Sequence, residues 1–196
     1  MGRIEAGKEK DFDGLLCLLK SALDSFHEVD SFLCRNDVSE QCICARLAYH
    51  IQQALIGTPY SNFVADCEYN RGMAKNDAAL KQIDGGNVRL DIAVHVREFD
   101  EECDRYWNLM CIEMKKRSQP ESEKEADRER LNKLCEKSYG FLFPLSVFIL
   151  IDKNGLTVEN VYSSLSEDSV NTEIEACWIK DHSANAESKC MKNYDR

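Results

Sequence analysis

The chain has 196 residues, of which 43% are hydrophobic, 31% charged and 9% aromatic, with only 9 glycines and 3 prolines. That composition supports one globular domain with a sizeable core and excludes collagen-like, low-complexity and wholly disordered chains. With 35 acidic and 25 basic residues the formal net charge is −10, which argues against gripping nucleic acid by bulk electrostatics but leaves room for a local basic strip or for metal ions. The longest apolar run, Leu145 to Ile151, falls far short of the roughly 20 residues a membrane helix needs. A charged N-terminus without a secretory pattern and ten cysteines together predict a reducing, cytoplasmic setting. Cysteine spacing includes Cys42-Ile43-Cys44 but no C-x-x-C pair, so buried free thiols are expected rather than a zinc or iron–sulfur site.

Residues 1–36 read as an N-terminal helical extension, with Leu15, Leu16, Leu18, Leu19, Leu23, Phe26, Val29 and Leu33 near helical spacing. A core domain is predicted over 37–162. Asp37 is placed to cap its first helix, with Glu40 three residues on as the capping-box partner and Ile43, Leu47, Ile51, Ala54 and Leu55 on one side. Gly57 and Pro59 end that helix. Three strands follow, Val64 to Arg71, Val88 to Arg97 and Trp107 to Lys116. The turn residues Asp84, Gly85 and Gly86 precede the second strand, and the acidic loop Glu98 to Asp104 separates the last two.

Pro120 and the box-like Ser122–Glu125 pair open a charged helix to about Ser138, with Ala126, Leu131, Leu134 and Cys135 as its apolar stripe. The aliphatic run Leu145 to Ile151 suits a strand covered on both faces. Asn154-Gly155 turns it into a hairpin with Leu156 to Tyr162. The polar extension 163–196 is expected to be partly mobile, with one further element near Ile174 to Ile179. Helix, three strands, helix, strand makes a mixed α/β sandwich whose last core strand returns by a helical crossover.

Charges interrupting the strands carry the chemistry. Val88, Leu90, Ile92, Val94 and Val96 alternate onto one face, so Asp91 points to the other with Arg89, Ala93 and His95. Glu113 and Lys115 share a face of the next strand with Leu109 and Cys111. Pairing of these strands would bring Asp91 and Glu113 together at one end of the sheet, with Lys115 beside them. Two carboxylates on a largely apolar sheet are costly unless compensated, and a divalent cation compensates them directly. Hard oxygen ligands suit Mg²⁺ or Mn²⁺, which need only one or two carboxylates plus substrate phosphate, and a neighbouring lysine can orient or deprotonate a water for attack on phosphorus.

Asp91 and Glu113-Met114-Lys115 resemble the D…(D/E)-x-K signature of the PD-(D/E)XK, or restriction-endonuclease-like, nuclease superfamily. Leu90 stands where the name has proline. The likeness extends to small bacterial and phage-associated members through Glu40, Glu68-Tyr69-Asn70-Arg71, Asp91-Ile92 with His95 and Arg97, Asn108 with Glu113 and Lys115, and Asp127 with Arg130-Leu131. What this resemblance implies is an α-β-β-β-α-β core with a central mixed sheet flanked by helices. It also implies hydrolysis of DNA phosphodiesters by a metal-activated water. Asp91 and Glu113 would bind Mg²⁺ or Mn²⁺, Lys115 would position the water, and Glu40 would act directly or through a metal-coordinated water. His95, Lys116, Glu68 and Arg71 are the candidate substrate contacts.

Plainer readings stand beside these. Glu40 is explained by capping alone, Glu68 and Arg71 by a structural pair, His95 by an exposed strand, and Lys116 with Arg117 by a solvated strand end. Asp127 and Arg130 read as a surface helix pair. An RNA or nucleotide hydrolase, or an inactive nuclease-fold protein that binds a second copy or another protein, are the alternative functions.

Overall fold

The computed structural model describes residues 9–70, 82–97, 108–136 and 143–165. Helices α1 (Glu9–Arg35) and α2 (Glu40–Leu55) come first, followed by strand β1 (Val64–Tyr69). A short ribbon, β2 (Gln82–Ile83) and β3 (Gly86–Asn87), precedes β4 (Leu90–His95) and β5 (Asn108–Lys116). Helix α3 (Glu121–Cys135) then leads to β6 (Leu145–Asp152) and β7 (Gly155–Ser163). No described helix is long and apolar enough to cross a membrane. Arg71, the acidic loop and the polar extension beyond residue 165 lie outside the described residues.

The five long strands form one mixed sheet in the order β1-β4-β5-β6-β7. Every neighbouring pair is antiparallel except β5–β6, which is parallel because α3 carries the chain back across the sheet between them. Helices α1 and α2 cover one face and α3 the other. Period-2 alternation sorts the side chains between these layers. Ile92, Val94, Met110, Ile112, Met114, Val147 and Ile149 pack toward α1 and α2, whereas Ala93, Cys111, Phe148 and Leu150 pack with Leu131, Leu134 and Phe143. The α1 stripe Leu15, Leu18, Leu19, Ala22, Leu23 and Phe26 belongs to the same core as the sheet. A polar tie fixes α1 to α2: His50 sits between Ser25 Oγ (2.9 Å) and Asp30 Oδ2 (2.7 Å), and Arg46 Nε donates to the same Asp30 oxygen at 2.8 Å.

Several expected details change. Ser39, not Asp37, caps α2, its hydroxyl accepting from the Cys42 amide at 3.3 Å. Asp37 turns the chain after α1 with a left-handed φ of 52°, so the capping box does not form and Glu40 becomes the first helical residue with its carboxylate free for other partners. Helix α3 starts at Glu121 after Pro120 and ends at Cys135, which places Ser122 and Glu125 inside it. Its inward positions are Lys124, Asp127, Leu131 and Leu134, while Ala126 is exposed. At the entry to β4, Val88 and Leu90 join the α3-side cluster rather than the face of Ile92 and Val94; the alternation stops there, beside the distorted Glu68 of β1 (φ 55°).

Asp84 and Gly85 (φ 51° and 79°) make the two-residue turn of the β2–β3 ribbon. In the β6–β7 hairpin Asp152 pairs with Gly155, so the loop is Lys153-Asn154, one residue earlier than expected. Gly155 itself has φ 129°, a conformation L side chains rarely adopt, and a Cβ there would also push on the His27 ring, 2.3 Å from Cε1. Among the thiols, Cys44 is buried against Met114 Sδ (3.5 Å), and Cys111 and Cys135 both lie 3.0 Å from the Ser146 hydroxyl. Cys42 is exposed, so it is not a packing residue.

Candidate active site

Strands β4 and β5 pair in the register Ile92↔Ile112 and Ala93↔Cys111, which brings Asp91 beside Glu113 on the face covered by α3. Asp91 Oδ2 accepts the Met114 backbone N–H at 2.7 Å, and the Asp91 and Glu113 carboxyls lie within hydrogen-bonding reach of each other. A bond between two carboxyls requires that they share a proton. Glu113 is 2% exposed, and burial together with the Asp91 charge holds it protonated well above the usual carboxylate range. Burial also raises Asp91, against the opposing bond from Met114.

Lys115, two residues along the same face, extends between α2 and α3. Its Nζ lies 3.7 Å from Glu40 Oε1 and 3.5 Å from Asp127 Oδ2. Burial works against its charge, but Asp127, Glu40, Asp91 and Glu113 outweigh that and push its pKa up, so it remains an ammonium ion. Glu40 reaches the same place from the start of α2, where its Oε2 accepts the Lys116 N–H at 3.2 Å. Burial raises its pKa as well.

Asp127 and Arg130 are not a surface pair. Asp127 is only 4% exposed and faces the sheet from α3, ion-paired with Arg130, whose guanidinium also donates to Glu113 Oε1 at 3.0 Å. Asp127 Oδ2 is buried without a hydrogen-bond partner, although the Lys115 ammonium stands near it. Their sequence signal was spacing: Asp127 precedes Leu131 by four and Leu134 by seven, the register of an inward stripe. The cluster thus holds four carboxyls (Glu40, Asp91, Glu113, Asp127) against two cations (Lys115, Arg130). Full ionisation would leave a surplus of negative charge in a half-buried site, and burial and mutual repulsion accordingly raise the pKa values of Glu40, Asp91 and Glu113.

The other candidates are occupied elsewhere. His95 is 1% exposed rather than on an open strand face; its Nε2 faces Asp66 Oδ2 at 3.0 Å and its Nδ1 lies 3.1 Å from the Val96 carbonyl. A shift in the β4–β5 pairing between Val94 and His95 accompanies that placement, and Tyr69 stacks on the ring at 4.0 Å. Asp66 also binds Arg97, whose bonds hold the Asp66 carboxyl below its ordinary range. Glu68 pairs with Arg89 at 2.5 Å. Lys116 Nζ is held by Asp37 Oδ1 at 2.7 Å and Arg117 by Asp152 at 3.0 Å, so both cations of the expected basic strip already have carboxylate partners.

Among the described residues no group of three or more His, Cys, Asp or Glu side chains forms a ready metal cage. The Asp91–Glu113 pair nonetheless suits a small hard cation, which binds through one or two carboxylates and keeps its remaining positions for water and phosphate oxygen. Comparison of the chain with protein-family models, with curated proteins and with solved structures finds no match.

Proposed function

We propose that the protein is a Mg²⁺- or Mn²⁺-dependent nuclease that hydrolyses DNA phosphodiester bonds, built on a restriction-endonuclease-like core. The observation that carries this reading is the contact between the Asp91 and Glu113 carboxyls with the Lys115 ammonium on the same strand face. The order α2-β1-β4-β5-α3-β6, with the parallel β5–β6 pair, supports it as the order the resemblance implies, the β2–β3 ribbon being an insertion.

Asp91 and Glu113 would hold the ion. When bound, it would offset charge developing on the phosphate and lower the pKa of the attacking water. Lys115, kept charged by its acidic neighbours, orients that water and faces the charge on the phosphate rather than removing a proton. Glu40 is the carboxylate on the far side of Lys115, and its raised pKa suits it to accept the proton the water loses. Asp127 keeps the ammonium in place from the α3 side.

Incubation of plasmid DNA with the protein and Mn²⁺ tests the reading. Cleavage should disappear in Asp91→Ala and Lys115→Ala; cleavage surviving both would remove it. The neutralised Lys116 and Arg117 favour a second substrate class, RNA or a short nucleotide, which needs less basic surface than a duplex. The same assay on single-stranded RNA and on dinucleotides separates the two.

A further inference from the structure

Arg130 occupies the place where a cation is needed. Its guanidinium bonds Glu113 Oε1 at 3.0 Å and Asp127 Oδ1, bridging β5 and α3, and it is the only arginine or lysine paired with Glu113 among the described residues. Its side chain is 29% exposed while those of Glu113 and Asp127 are 3% and 5% exposed, so it closes the site from the solvent side. Glu113 thus lies against Asp91 while one of its oxygens is taken by the Arg130 guanidinium. The other Asp127 oxygen, buried and without a hydrogen bond, faces the Lys115 ammonium at 3.5 Å.

We propose that Arg130 is a built-in counter-ion that a divalent cation displaces from Glu113, so that metal binding and release of the guanidinium are one coupled event. The inference rests on the assignment of Glu113 as a metal ligand made above. A guanidinium bonded to Glu113 draws on the same carboxylate charge that would hold a divalent ion, and a fixed positive charge at this distance repels the incoming ion. Asp127 makes the exchange cheap: its bond to Arg130 survives, so the guanidinium swings on Asp127 rather than losing both partners. Lys115 stays where it is, held by Glu40 and by the other Asp127 oxygen. Arg130 thus supplies positive charge beside the carboxyl pair, and its side chain, more exposed than Glu113 and Asp127, has room to move toward solvent on release.

The test is calorimetric titration of the metal-free protein with Mn²⁺, comparing wild type with Arg130→Gln and Arg130→Lys. Removing the competitor should tighten Mn²⁺ binding by about tenfold, within the 5–150-fold span usual for coupled sites, and Arg130→Lys should stay close to wild type. A second reading needs no variant. In the ¹⁵N spectrum of wild type, the Arg130 Nε–H resonance should move on adding Mg²⁺. That of Arg128, held by Glu121, Glu125 and Glu159, should not. Equal or weaker Mn²⁺ binding by Arg130→Gln, or an Arg130 resonance unmoved at saturating Mg²⁺, overturns the exchange while leaving Asp91 and Glu113 as ligands. Absence of Mn²⁺ binding by wild type and variant alike overturns both.

Discussion

Glu113→Gln keeps the shape of the side chain and its bonds to Asp91 and Arg130 while removing the ionisation. In the folded protein Glu113 holds its proton well above the ordinary glutamate range, chiefly because it is buried and next to Asp91. The native state consequently binds more protons than the unfolded chain above that range, and stability falls as pH rises from there to the folded value. Each pH unit of that interval removes about 1.4 kcal/mol, which for a domain of this size is about 3–6 °C in melting temperature. Glutamine abolishes this fall. The variant should therefore match wild type near pH 4 and exceed it progressively toward pH 8 when melted in EDTA. Metal should reverse the ranking: at 100 times its Kd a ligand stabilises by about 2.7 kcal/mol, or about 5–11 °C here, and only wild type should show that gain with Mg²⁺. Thermal melts across pH 4–9, with EDTA and then with Mg²⁺, measure both. A variant less stable than wild type at pH 8 without metal, or equally stabilised by Mg²⁺, would refute the account of Glu113 as a buried, proton-sharing ligand.

Phe26→Ala empties a fully buried position between α1 and the sheet and should cost about 3–5 kcal/mol in urea unfolding, with the slope unchanged. Ser39→Ala should lose about 1 kcal/mol because it removes the cap of α2, and Asp37→Ala should lose less, the reverse of what a capping box would give. Burial works to raise the Asp30 pKa, but Arg46 and His50 prevail and lower it. Its stabilisation is thus complete above the ordinary carboxylate pKa and lost as pH falls through the lower folded value. Asp30→Asn should flatten the acid limb of the stability curve, and an unchanged limb would show that the α1–α2 tie does not titrate there.

Short-range periodicity was legible without coordinates. Apolar residues every second position put Asp91 on one face of β4, and Glu113 and Lys115 on one face of β5, because successive side chains in a strand must point opposite ways. Local punctuation was read less well. Asp37 and the Ser122–Glu125 pair have cap chemistry, yet helix starts are chosen by the whole turn, and Ser39 and Pro120 took those places. His95 could not be placed from alternation alone, since its burial depends on Asp66 and Tyr69 from a strand far away in the chain.

What the sequence determined, then, is the order of the helices and long strands and the shared face of Asp91, Glu113 and Lys115, both set by steric rules acting over a few residues. Only the tertiary structure decided that Glu40 and Asp127, from two helices on different layers, close around Lys115, and that Arg130 bonds Glu113. Those contacts join residues distant in sequence, and their strength comes from shared burial, which no local pattern specifies: a carboxylate on a helix reads the same in sequence whether it meets water or a buried ammonium.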